Sequence, residues 1–189
     1  MKKILIGTHN RGKFKEIAYL ISKKYKKISP LSLKIKSPKE TGKTFSSNSK
    51  LKANFFSRFV NYPVIADDSG LSIKALKNKP GIYSARLAKK KGGFFQAMKF
   101  IIKKLENKKD RSAAFICSLS YKYTNGRVVT VEGKINGNIS NKILGKNGFG
   151  YDPIFVPNLK KKNFRSNDRS KKNKDGSQIY CIQEIKKKN

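Results

Sequence analysis

Acidic side chains are scarce in this chain: 11 Asp and Glu stand against 45 Lys and Arg, giving a formal net charge of +34. Cysteine is scarcer still. Cys117 lies in a strand-like run and Cys181 near the end, a spacing that argues against a zinc site and for reduced thiols. There is no long apolar run, which excludes a membrane-spanning helix, and the apolar segment Ile4 to Ile6 is far too short for a signal peptide. A soluble, cytoplasmic protein is expected. The 189 residues can bury a sizeable core and read most simply as one domain with two lobes.

The positive charge invites a nucleic-acid reading, because clustered Lys and Arg neutralise phosphates. Here the excess is spread along the whole chain, and Lys, Asn and Ile are abundant together, as an AT-rich coding sequence produces without selection for a partner. No specific nucleic-acid partner is therefore expected. A polyphosphate substrate would be attracted in either case.

Two of the few acids stand side by side in Val64-Ile65-Ala66-Asp67-Asp68-Ser69-Gly70-Leu71. Bounded by Pro63 and Gly70, Val64 to Ala66 read as a buried strand delivering Asp67 and Asp68 into a glycine turn. Adjacent carboxylates repel and need a cation or a shared proton, and a hard ion such as magnesium fits. The alternative is an exposed turn that only reverses the chain.

Taken in order, Lys2 to Ile6 read as a first strand. Thr8-His9-Asn10-Arg11-Gly12-Lys13 follow as a turn into a helix with Phe14, Ile17, Ala18 and Ile21 on one face. With Asn10 as N-cap, free N–H groups and the positive helix end would lie beside Arg11 and Lys13, an arrangement that binds phosphate. His9, the only histidine, either touches a ligand from this turn or is solvated. Leu31 to Lys36 alternate strictly and read as a strand with one wet face. Thr44 caps a helix expected to turn Leu51, Phe55, Phe56 and Phe59 inward, with Lys50 and Lys52 near its start. The run from Pro80-Gly81 to Arg86 either presents a guanidinium to phosphate or is an ordinary loop. Phe94 to Leu105 form an amphipathic core helix, and Ala113 to Tyr123 and Arg127 to Ile135 form two strands joined at Asn125-Gly126. In Gly148-Phe149-Gly150-Tyr151-Asp152, the glycines allow close approach of a flat ligand on which Phe149 or Tyr151 could stack, with Asp152 accepting hydrogen bonds; a glycine-rich hairpin over packed aromatics is the alternative.

Taken together, Thr8 to Lys13, Glu40-Thr41-Gly42 with Thr44-Phe45, Ala66 to Leu71, Pro80 to Arg86 and Gly148 to Pro153 resemble the inosine triphosphate pyrophosphatase family, in the family's order. The resemblance implies an α/β fold: a long mixed β-sheet with helices around it, and two lobes with the active site in the cleft between them. It implies hydrolysis of non-standard purine nucleoside triphosphates (dITP, ITP, XTP) to the monophosphate and pyrophosphate, with Mg2+, by a homodimer. It also implies that Asp68 is metal ligand and base, that Asp67 and Glu40 help to hold the metal, and that Thr8, His9, Asn10, Arg11, Gly12 and Lys13 hold the triphosphate. Lys52 and Arg86 would bind phosphate, Ser69 would touch substrate, and Phe149, Gly150, Tyr151 and Asp152 would form the base pocket. The alternative is a basic nucleic-acid-binding α/β protein whose acids are structural.

The sequence departs from the family pattern in four places, two of them His9, where relatives carry Gly or a small residue, and Lys39-Glu40, where they carry a Glu pair. Ser47-Asn48-Ser49 stands where relatives carry Glu-Asn-Ala, and the base-recognising Ser- or Asp-His-Arg near the end is missing. The match stops at Lys160-Lys161-Lys162, a run of adenines in an AT-rich gene. Back-translated with A- and T-rich codons and read one nucleotide later, the segment from Asn163 yields Asp-His-Arg followed by an amphipathic helix pattern. The chain thus reads as a catalytic domain over residues 1–162 and an atypical, out-of-frame basic tail over 163–189; a family member inactivated by that change is a further alternative to the active enzyme.

Overall fold

In the computed structural model, residues 1–144 and 150–158 are described. The expectations for Phe149 and for the tail lie outside them. Eleven helices and strands follow in a mixed α/β order: β1 (Lys2–Ile6), α1 (Arg11–Leu20), β2 (Tyr25–Ile28), α2 (Phe45–Phe56), β3 (Val64–Ile73), β4 (Lys79–Pro80), α3 (Ser84–Lys90), α4 (Phe94–Lys104), β5 (Ser112–Lys122), β6 (Val128–Ile139) and β7 (Phe155–Pro157). The strands form one seven-stranded sheet in the order β2-β1-β3-β5-β6-β7, with β4 paired to β3. β1 runs parallel to β2 and β3, whereas β4 on β3 and β7 on β6 are antiparallel, so the sheet is mixed as expected. Among the described residues no helix is long and apolar enough to cross a membrane.

The chain falls into two compact units, the first holding residues 1–68 and 117–133 and the second 69–116 and 134–158 of the described chain. In the first, the alternation of strand side chains sorts the core into two faces. Ile4, Ile6, Ile17, Ile65, Cys117, Leu119 and Val131 pack together on the α1 face, while Leu5, Val64 and Phe56 pack on the α2 face. Gly7 is required where β1 leaves the sheet, because a Cβ there would lie 2.6 Å from the Phe56 ring. In the second unit, Leu71, Ile73, Met98, Ile101, Leu105, Ile139 and Ile154 form a separate core with Tyr151.

Three expectations are corrected. Asp67 and Asp68 do not enter a glycine turn: β3 continues through Ser69 and Gly70 to Ile73, because Leu71 and Ile73 keep burying side chains beyond the acids. Leu31 to Lys36 form no strand. Pro30 starts a 3-10 turn over Leu31–Leu33, which Lys34 ends at φ 55, leaving Leu31 and Leu33 exposed at 52% and 39%. The edge strand is instead Tyr25–Ile28, whose lysines hid it in the sequence. Finally, α2 turns Phe45, Asn48, Ser49, Lys52, Ala53 and Phe56 inward, while Phe59 lies past its end and is 54% exposed.

Candidate active site

β1 pairs with β3 at Leu5↔Val64 and Ile6↔Ile65, so Asp67 and Asp68 project from β3 just past the point where the parallel neighbour has ended. The carboxyl end of a parallel strand, followed by the turn into α1, is where open α/β sheets bind ligands. The period of the strand separates the two acids: Asp67 follows Ile65 onto the α1 face, and Asp68 follows Val64 and Ala66 onto the α2 face. Their side chains leave opposite faces of the strand. Each has its own partner.

Asp67 is fully buried, and its Oδ2 lies 2.7 Å from the Lys13 ammonium. Burial would raise the Asp67 carboxyl, but the charges of Lys13 and Lys52 hold it below the usual carboxylate range. Burial would likewise depress Lys13, yet the Asp67 carboxylate beside it leaves its pKa raised. The pair is therefore ionised at neutral pH. The structure thus places Asp67 as the ion-pair partner of Lys13.

Asp68 is 5% exposed, and its Oδ2 accepts a 2.9 Å hydrogen bond from the Asn48 side-chain amide. Burial pushes its carboxyl up to about 6, against the lowering influence of Lys52 and Asn48. A carboxylate poised there takes a proton near neutral pH, as a general base must. The Asn48 Oδ1 in turn accepts the Gly42 N–H at 2.8 Å, tying the loop that carries Glu40 to the helix that holds Asp68. Glu40 Oε1 lies 3.2 Å from the ammonium of Lys52, which is one turn beyond Asn48 on the same face of α2.

The sequence reading did not assign a role to Asn48. The signal was its place: Phe45, Asn48, Ser49, Lys52, Ala53 and Phe56 form one helical stripe in which polar residues occupy core positions. The two departures beside Asn48 are accommodated locally. Ser47 completes a capping box, exchanging side-chain hydrogen bonds with the backbone of Thr44, and the buried Ser49 hydroxyl lies 3.1 and 2.8 Å from those of Ser118 and Ser120.

In the turn before α1, the Thr8 hydroxyl accepts the Asn10 N–H, and Asn10 caps the helix as expected. The Asn10 Oδ1 accepts from Gly12 and Lys13, so those two N–H groups are held by the cap rather than free for phosphate. The His9 Nε2 lies 2.9 Å from the Ile35 carbonyl, to which only a protonated nitrogen can donate, and the Ser37 hydroxyl is 2.6 Å from Nδ1. His9 is thus a strut between this turn and the Ile35 loop. Thr8 to Arg11, Phe14 and Ser29 line an open pocket beside it.

Ser69, Arg86, Gly150, Tyr151 and Asp152 belong to the second unit. Ser69 is half-buried on β3, and Arg86 is exposed on α3 with its guanidinium 5.0 Å from the Tyr83 ring. Gly150 adopts φ 67, which favours glycine. Tyr151 is 2% exposed: its hydroxyl donates to the Ser84 carbonyl at 2.9 Å and its ring meets Phe94 edge-on, so it supports the exposed Asp152 from the core instead of offering a stacking face.

Among the described residues no three His, Cys, Asp or Glu side chains gather closely enough to hold an ion by themselves. Two carboxylates and substrate phosphates are nevertheless what magnesium commonly uses, in place of an all-protein cage. Glu40 and Asp68 meet that requirement: both are oxygen donors, each is influenced by Lys52, and the charge of Glu40 helps to raise Asp68.

A Cβ on Gly42 would press against the Ser47 hydroxyl and the Asn48 side-chain Oδ1 and lie 2.9 Å from the Asn48 backbone nitrogen. Gly42→Ala should therefore pull the Glu40 loop from α2, disturb the Asn48 bond to Asp68 and lower turnover about 10- to 100-fold, with the melting temperature little changed. Steady-state kinetics and thermal melting of one preparation check this.

The sequence profile of the Ham1 family matches residues 4–187. The chain is 42% identical over 157 residues to the dITP/XTP pyrophosphatase of Caulobacter vibrioides, covering 82% of this chain and 81% of that protein. It is 38% identical over 189 residues to the dITP/XTP pyrophosphatase of Bacillus licheniformis, covering 98% and 96%. Among solved structures, the Ham1 protein of Staphylococcus aureus superposes with a TM-score of 0.80 at 31% identity over 98% of this chain and 97% of that one. The HAM1 protein of Coxiella burnetii superposes at 0.83 and 30% identity over 99% and 98%.

Proposed function

The chain belongs to the Ham1 family, and on that premise we propose that it hydrolyses the non-standard purine nucleoside triphosphates dITP, ITP and XTP to the monophosphate and pyrophosphate. The observation that carries this reading is Asp68: a buried carboxylate with a pKa near 6, oriented by Asn48 and standing on the same face as the Lys52–Glu40 pair. Relatives bearing the name dITP/XTP pyrophosphatase match most of the chain, which supports the substrate class.

In this reading Asp68 takes the proton of a water whose oxygen bonds to phosphorus as the bond between the α- and β-phosphoryl groups breaks. Lys13 and Lys52 offset charge on the phosphates, and the turn from Thr8 to Lys13 positions them. A magnesium ion held by Glu40 and Asp68 would supply further charge neutralisation and orient the phosphates. Ser69 and Arg86 would touch the substrate, and Phe149, Gly150 and Asp152 would approach the base. A cytoplasmic homodimer completes the proposal, supported by the family resemblance.

The test is selectivity. At equal concentration, dITP, ITP and XTP should be turned over with kcat/KM well above that for dATP or dGTP. Equal rates on all five would remove the non-standard purine assignment. Sequencing the gene across the Lys160 to Lys162 codons tests the proposed frame change: a stop before the Asp-His-Arg triplets in the shifted frame, or their absence, refutes it.

A further inference from the structure

Two lysines of the site are held by acids. Lys13 faces Asp67 at 2.7 Å, and Lys52 faces Glu40 at 3.2 Å, with the Lys52 and Glu40 side chains 10% and 29% exposed. The two pairs differ in accessibility. Asp67 is sealed in the core, but Glu40 sits on a loop at the site's edge, held through the Gly42–Asn48 bond. Glu40 is therefore the acid that can change partners without unpacking the fold.

We propose that Glu40 is a specificity-determining residue that masks Lys52 against polyphosphates arriving without a divalent cation. This rests on the reading of the site as a triphosphate site. A bare triphosphate reaching Lys52 must break the pair and place its own negative charge beside both Glu40 and Asp68. A cation-loaded triphosphate brings positive charge that Glu40 can bind, which releases Lys52 to the phosphates. The preference is thus a coupling between two binding events, and reciprocity requires each to strengthen the other.

Calorimetric titration with inorganic tripolyphosphate tests this without any turnover. In EDTA, Glu40→Gln should tighten tripolyphosphate about tenfold, the scale of one partly buried ion pair. With magnesium present the same substitution should weaken it, so the effect changes sign with the cation. In a Lys52→Met background, or Lys52→Gln if the first variant fails to fold by thermal melting, Glu40→Gln should tighten it far less in EDTA, by the relief of charge repulsion alone. The proposal is overturned if Glu40→Gln leaves metal-free affinity unchanged or weakens it. It is equally overturned if the tightening is as large without Lys52, because the effect would then come from net charge alone. Wild-type protein that binds tripolyphosphate in neither condition refutes the triphosphate-site reading itself, whereas binding without the sign change refutes only the masking.

Discussion

Asp68→Asn should lower kcat by about two to four orders of magnitude, the loss expected when a positioned general base is removed. It should also leave the protein at least as stable as wild type above neutral pH. The second expectation follows from the sign of the shift. The folded pKa of Asp68, about 6, lies above the ordinary value of 3.8, so between these values the folded state binds the proton that the unfolded state has released. Stability from this group is full at acid pH and falls as pH rises to about 6, above which the buried carboxylate remains a burden of up to about 3 kcal/mol. Asparagine keeps the shape and removes the charge. For the same reason, kcat/KM of the wild type should rise through about pH 6 to a plateau. Near-normal turnover by a folded Asp68→Asn protein would move the chemistry elsewhere.

The largest stability effect should come from the other acid. Lys13→Met strands a fully buried carboxylate at Asp67 and should destabilise the protein by about 3 to 5 kcal/mol at pH 7, a large share of a typical domain's stability. Asp67→Asn should cost less, because the Lys13 side chain is 16% exposed and its ammonium can turn toward water. The double variant should recover most of the loss. The pH dependence is distinctive. In the wild type the lowered Asp67 pKa gives stability that is present above the ordinary value of 3.8 and lost only as pH falls through the folded pKa, whereas in Lys13→Met burial raises the stranded carboxyl, which takes up a proton as pH falls, so the gap should narrow toward pH 4. Urea unfolding of the four proteins at both pH values decides it. Equal losses for the two single variants would mean that Asp67 is not an isolated buried charge.

Local chemistry was legible in the sequence, and long-range placement was not. Asn10 and Thr44 declared their helices because a cap bonds to the backbone two or three residues away. Asn125-Gly126 likewise marked the connection of β5 to β6, where the Tyr123 N–H bonds the Arg127 carbonyl at 2.9 Å. By contrast, Tyr25–Ile28 is a strand only because β1 lies beside it, and its lysines carry no trace of that pairing. Gly70 reads as a turn until the burial of Leu71 and Ile73 extends the strand past it. That one change also moved Asp67 and Asp68 from a shared turn to opposite faces, so the sequence could not show that each meets a different partner. Asn48 escaped notice because a polar residue on an apolar stripe gains meaning only from the carboxylate it meets.

Product analysis of dITP turnover by the purified protein with magnesium tests the central claim most directly. The account predicts pyrophosphate and the monophosphate in equal amounts, with no orthophosphate. Release of orthophosphate, or intact dITP after incubation with a folded sample, would contradict it.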